Sequence, residues 1–222
     1  MMEFIARYWS MMLEGTAETL YMTFGSTLMA YVLGLPLGVI MVVTEKNGIM
    51  PNTVVNKVLG TIINIGRSIP FIILMLAIIP FTRFIVGRAV GVAAALVPLT
   101  IAAAPFVARM VEQSLAEVDQ GVVEASRTMG ATKWQIIYKV ILPESVPSLV
   151  RGLSITTITL LGYSAMAGSC GAGGLGDIAI RYGFHRYQPD VMLATVILII
   201  IIVQAIQMIF DGITKKIDKR NR

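Results

Sequence analysis

Gly171, Gly173 and Gly176 spell G-x-G-x-x-G, the spacing that lets a backbone close on a pyrophosphate where it follows a strand and opens a helix. Here the glycines follow a long uncharged run, so a tight turn ending that run is expected and a dinucleotide site is not. His185 is the only histidine, and Asp177 and Asp190 flank it at spacings that close no ligand shell. The lone cysteine, Cys170, excludes an internal disulfide framework and an all-cysteine metal site, and reads as a small packing residue. There is no G-x-x-x-x-G-K-[ST] phosphate loop to hold ATP. No catalytic residue, metal site or bound cofactor is therefore assigned.

Two charged positions remain. Arg67 lies about nine residues into an apolar run, with Pro70 just beyond. A charge in lipid costs about 2.5–3.5 kcal/mol even on the permissive insertion scale, so Arg67 should face protein or water. It either bonds carbonyls freed at the Pro70 kink or lines a path. Glu124 belongs to VVEASRTMGATKWQIIYKVILP, Val122 to Pro143, whose charges, central glycine and closing proline contrast with the apolar blocks on either side.

The elements that carry these residues belong in a bilayer. The 222-residue chain is 56% hydrophobic and only 14% charged, with a mean hydropathy of +0.77, whereas soluble domains carry about 25% charged residues. The fourteen methionines are ordinary flexible core fillers. About five runs could cross: Thr23–Val43, Val58–Phe81, Ala89–Ala108, Gly152 to about Gly168, which is short but continues uncharged to Gly176, and Val191–Phe210. They must be helices, because an open sheet edge cannot be satisfied in lipid, so an all-α polytopic fold is expected. Gly34, Pro36, Gly38, Pro70, Pro80, Pro98 and Pro105 should kink several of them. In the last span Gln204 and Gln207 share a face and should hold helices together. The acidic, uncleavable look of the first residues, with Glu3 and Glu14, predicts a permanent anchor.

Net charge is +5, but no basic patch interleaves with aromatics as a nucleic-acid surface would. The basicity is topological. One side collects Lys46, Lys57, Arg109, Arg127, Lys133, Lys139, Arg151 and the five cations of the tail KKIDKRNR; the other holds Arg7, Arg83, Arg88, Arg181 and Arg186. Cytoplasmic loops carry the excess, so the N-terminus is expected outside, and the C-terminus and the 122–143 stretch inside. The tail should sit at anionic lipid headgroups.

Within that stretch, DQGVVEASRTMG predicts a short helix stopped at Gly130. Thr132 and Gln135 form a capping box that starts a second helix, which should end near Leu142 because Pro143 follows. Trp134, Ile137 and Ile141 should form an apolar stripe that either packs on the protein's own bundle or is offered to a partner.

Glu124-Ala125-Ser126, three residues, Gly130, nine residues, Val140, one residue and Leu142-Pro143 resemble the EAA loop of ABC-importer permeases, with Ser126 and Val140 replacing alanine and isoleucine conservatively. The resemblance implies a type I importer permease fold over 1–222, with 113–148 as the cytoplasmic coupling loop. It places Glu124, Ala125 and Ser126 on an ATPase-docking helix, Gly130 at its turn, and Ala131 and Thr132 after it. NIGRSIPFIIL (64–74) and GAGGLGDIAIRYGFHRYQPDVM (171–192) are similar to methionine-importer permeases. That likeness implies a homodimer in the bacterial inner membrane, two ABC ATPase subunits binding ATP and Mg, and an extracytoplasmic methionine-binding lipoprotein. The loop holding Gly171, Gly173, Gly174 and Gly176 is expected to be flexible and to meet that binding protein. Import would proceed by alternating access. The alternatives are an importer of another small solute such as a polar amino acid, or a scaffold that moves nothing.

Overall fold

The computed structural model describes the backbone of residues 2–217 and the side chains of 8–217. The side chains of Glu3 and Arg7, and the tail from 218 to 222, lie outside the described residues.

The first helix, α1 (Met2–Thr44), runs 43 residues through Pro36. At 1.5 Å per residue it spans about 65 Å, roughly twice the hydrocarbon thickness. A turn leads to α2 (Thr53–Ser68), where the Asn52 side chain accepts from the Val55 N–H at 3.1 Å and caps the start. Pro70 ends α2 by forcing Ile69 into an extended conformation, φ −85° and ψ 122°. The chain resumes as α3 (Phe71–Ala77) at 98° to α2, then α4 (Ile79–Val86). The run Val58–Phe81, expected as one kinked span, is thus a sharply broken one.

Next comes α5 (Val92–Ala116), at the centre of the bundle, with Leu99, Val107 and Val111 fully buried. It packs on α1 through a G-x-x-x-G step: a Cβ at Gly34 would lie 2.7 Å from Val107 Cβ, and one at Gly38 would lie 2.6 Å from the Ala108 carbonyl oxygen. The short helices α6 (Gln120–Thr128) and α7 (Lys133–Ile136) follow. A π turn, Ile137–Ile141, then joins α7 without a break to α8 (Leu142–Ser169).

This overturns the expectation that the second short helix ends near Leu142. Leu142 N–H donates to Ile137 O, five residues back, and this wider register makes room for the ring of Pro143 at the start of α8. One apolar helix therefore runs from Lys133 to Ser169, and the fourth span is long rather than short.

After α8 come α9 (Gly174–Ile178), a π segment (Ala179–Phe184) and α10 (Pro189–Ile217). Among the described residues four helices are long and apolar enough to span, and the bent pair α2–α3 makes five. Some buried hydroxyls bond back onto their own helices: Thr27 donates to Thr23 O at 2.7 Å and Thr156 to Gly152 O at 2.8 Å, whereas the buried hydroxyls of Thr23, Thr82 and Thr100 have no hydrogen-bond partner among the described residues. Along α10 only Val191, Thr195, Ile206 and Thr214 are buried. Gln204 and Gln207 are both exposed, so they do not glue helices within this chain, because α10 turns that face outward.

Candidate docking site

The stretch between α5 and α8 is built from two caps and a turn. Asp119 caps α6 by accepting from the Gly121 N–H at 2.6 Å. At the other end Gly130, φ +81°, ends the helix in a Schellman motif: its N–H donates to Arg127 O at 3.0 Å, and the Ala131 N–H to Ser126 O at 3.1 Å. Thr132 N–H then donates to Gln135 Oε1 at 2.8 Å while Gln135 N–H donates to Thr132 Oγ1 at 3.3 Å, completing the capping box. Ser126 and Thr128 turn their hydroxyls back onto Val122 O and Ala125 O, both at 2.8 Å. Little of the element's own hydrogen bonding is left open.

One side of it is consumed by the bundle. Val123, Ile136, Ile137 and Ile141 are buried and pack in the main core with Val43, Ile49, Leu115 and Val118. Trp134 does not belong to that stripe. It is 62% exposed, its ring stacked 6.1 Å from Tyr138, because the helical turn at Lys133–Ile136 points it away from the buried isoleucines. The outward side carries Glu124, Ala125, Thr132 and Met129, the last 86% exposed, with Ser126 and Ala131 half-buried beside them. A folded, doubly capped helix pair with small and apolar groups facing outward is suited to seating in another protein's groove.

Two further features were not anticipated. Arg127 Nη2 donates to Gly48 O at 3.4 Å, tying α6 to the α1–α2 turn. Between them opens a cleft of about 580 Å³, with Glu45, Asn47, Gln120, Glu124 and Arg127 on its polar walls and Val43, Val123 and Ile141 among its apolar lining. No local motif signals this contact, since Gly48 and Arg127 are 79 residues apart.

At the far end of the bundle the glycine loop is pinned, not free. Gly174 N–H donates to Glu18 Oε2 at 2.6 Å and Leu175 N–H to Thr19 Oγ1 at 2.9 Å, both on α1. Gly174 and Gly176 are buried, Gly173 is half-buried, and only Gly171 of the four is exposed. A side chain at Gly174, φ +77°, would sit 2.7 Å from Thr19 Oγ1, so Gly174→Val would disturb packing whatever the loop meets. The expected flexibility is corrected accordingly. Glu18 escaped notice because it precedes the uncharged run from Thr23. The G-x-G-x-x-G follows α8, not a strand, which removes the dinucleotide reading.

Arg67 on α2 and Pro70 just after it are exposed. Arg67 makes no hydrogen bond or ion pair among the described residues, so the carbonyl-bonding role at the kink is not what it does here. The guanidinium that does bond is Arg109 on α5, which donates to Glu112 Oε2 and to Asn64 Oδ1 of α2, each at 2.8 Å. His185 is exposed and rests edge-on to Phe184, and the described residues hold no group of three metal-ligating side chains. Cys170 lines a small, mainly apolar cavity of about 120 Å³ with Thr82, Val90 and Ala172, as a packing residue would.

Over residues 34–222 the sequence matches the family described as binding-protein-dependent transport system inner membrane component. The chain belongs to that family. It is 52% identical over 210 residues to the probable D-methionine transport system permease protein of Vibrio cholerae, covering 95% of this chain and 93% of that protein. It is 48% identical over 207 residues to the methionine import system permease protein of Bacillus subtilis, covering 93% of each. A chain of the solved MetNI methionine ABC transporter, in an inward-facing conformation, matches with a TM-score of 0.95 at 49% identity, covering 96% of this chain and 99% of that one. The chain is therefore a multi-pass inner-membrane permease component of an ABC transporter that works with ATPase subunits in a binding-protein-dependent system.

Proposed function

We propose that this chain is the permease subunit of a methionine ABC importer, acting as a homodimer with two ATPase subunits and an extracytoplasmic methionine-binding lipoprotein. The observation that carries the reading is the outward-facing helix pair at Asp119–Gln135, each helix capped at its N-terminus and the two joined at Gly130. Relatives near 50% identity along almost the whole length, named as methionine permeases, support the solute. Hydrolysis then belongs to the ATPase subunits, which hold the ATP and Mg, and this chain converts their closure into a change of access. Five spans, one of them broken, are too few to enclose a path, whereas a two-fold pair supplies ten and two docking elements. The excess of Lys and Arg on the docking side supports a cytoplasmic position for it, with the N-terminus outside and the C-terminus inside.

ATP must bind the closed ATPase pair more tightly than the open pair, because a ligand with equal affinity for two states shifts neither. The docking helices move with the ATPases, and α6 passes that movement to α1 through Arg127 and Gly48 and to α8 through the unbroken α7. In proteoliposomes containing the permease, its ATPase and the binding protein, ATP should drive uptake of labelled methionine, with solute-loaded binding protein stimulating hydrolysis. Uptake of a different amino acid in its place would move the solute assignment. Failure to copurify with any ATPase would leave the scaffold reading standing.

A further inference from the structure

Helix α2 divides into three faces. At 3.6 residues per turn, Ile63 and Gly66 turn toward the bundle: Ile63 is 1% exposed, and a Cβ at Gly66 would meet Pro105 of α5. Val58, Ile62 and Ile65 form a second face, each more than half exposed. Lys57, Thr61, Asn64 and Ser68 fall within an arc of about 60° on a third, with Arg67 about 60° further round. All five of these polar residues are exposed in the protomer. The Thr61 and Ser68 hydroxyls donate to Lys57 O and Asn64 O of their own helix, both at 2.8 Å, leaving their oxygen lone pairs outward.

A spanning helix with two exposed faces, one apolar and one polar, has only one arrangement that satisfies both. The apolar face meets lipid or another apolar surface, and the polar face meets water. Lipid on the polar face would strand Lys57 and Arg67 at several kcal/mol. A dry contact with the same face of a second copy would bury like charges against each other. The stripe also has a sign. No acidic residue lies on it, and Glu112, whose carboxylate interacts electrostatically with Arg67, is already held 2.8 Å from Arg109.

We propose that this face of α2 is the wall of the solute path, and that Arg67, with Lys57 below it, gives passage to the carboxylate of an amino-acid solute. The proposal rests on the importer reading for the two-fold pair and for a solute that carries a carboxylate. Two such stripes across a dimer axis flank a wet, positively charged passage that attracts a carboxylate without a tight pocket.

The test uses the assembled transporter in membrane vesicles, with Cys170→Ala as background and single cysteines at Thr61, Ser68, Ile62 and Ile65. The probes are sulfonate-bearing and quaternary-ammonium-bearing methanethiosulfonates, each normalised to its rate with a free thiol. Thr61→Cys and Ser68→Cys should label at least about tenfold faster than Ile62→Cys and Ile65→Cys, since only a hydrated thiol ionises. At Ser68→Cys the sulfonate should outpace the ammonium about fivefold, the factor expected from a unit charge about 7 Å away in wet surroundings, and Arg67→Gln should bring that ratio close to one while labelling persists. Equal labelling of both faces, no labelling at 61 and 68, or a preference for the cation would overturn the proposal. Labelling of this pattern in a transporter that takes up no methionine would unseat the solute assignment and leave the path in place.

Discussion

Gly130 is held at φ +81° with nothing within 4 Å of where a Cβ would stand, so an alanine there meets no neighbour in this chain and carries only the backbone cost. For an L-residue the left-handed conformation costs about 1–2 kcal/mol, and relief comes by unwinding the Schellman turn that joins α6 to α7. That lowers the ratio of docked to unwound helix pair by about 5- to 30-fold at each of two elements. Gly130→Pro goes further, since its φ near −65° is incompatible and the 3.0 Å bond from the Gly130 N–H to Arg127 O is lost, adding about 1 kcal/mol. Asparagine tolerates the left-handed region, so Gly130→Asn should behave nearly as wild type although its side chain is larger than alanine's. The assay is moles of methionine imported per ATP hydrolysed in reconstituted vesicles. Coupling should fall in the order Gly, Asn, Ala, Pro, with ATPase activity persisting. If alanine and proline couple like glycine, or if asparagine is as damaging as proline, backbone geometry at 130 is not what transmits the stroke.

Three further outcomes follow from the packing. Glu18→Ala removes the acceptor for the buried Gly174 N–H and should cost about 1–3 kcal/mol, read as a lower unfolding temperature in detergent, while Glu18→Gln keeps an acceptor and most of the stability. Gly38→Ala should destabilise by about 1–3 kcal/mol, because its Cβ meets the Ala108 carbonyl oxygen of α5, whereas Gly162→Ala, with open space at an exposed site in α8, should be neutral or stabilising by about 0.5–1 kcal/mol in the same melt. Thr132→Ala should cost about 1 kcal/mol by opening the capping box, with a larger effect on coupling than on the unfolding temperature because the cap is exposed and local.

Much of the docking element was legible because its signals are local. Gly130 as the helix stop and Thr132–Gln135 as a capping box depend on residues within one turn, and each is found as expected. Pro143 misled because its effect depends on the neighbouring hydrogen-bond register. In α geometry its ring clashes with a carbonyl four residues back, but the π turn at Ile137–Ile141 widens that step and the helix continues. Pro70 acts the other way. The same residue type breaks α2 from α3 by 98°, since nothing there supplies an alternative register. Trp134 was placed on one apolar stripe with Ile137 and Ile141 by spacing alone, and spacing does not say which side of a four-residue helix meets the core.

Composition and run lengths alone determined that the chain lives in a membrane as helices, because lipid leaves no other way to satisfy a backbone. The EAA spacing marked out the folded, outward-facing element between α5 and α8 that is proposed to dock on an ATPase. Only the tertiary structure decided which groups meet across distance: Glu18 with Gly174, Arg127 with Gly48, and Arg109 with Asn64, pairs separated by 156, 79 and 45 residues. It also decided which side of α2 stays open. Those pairings depend on helix rotation and depth, which follow from close packing such as Gly34 and Gly38 against α5. A periodic sequence specifies the face of a helix, and the neighbours it packs against specify where that face points.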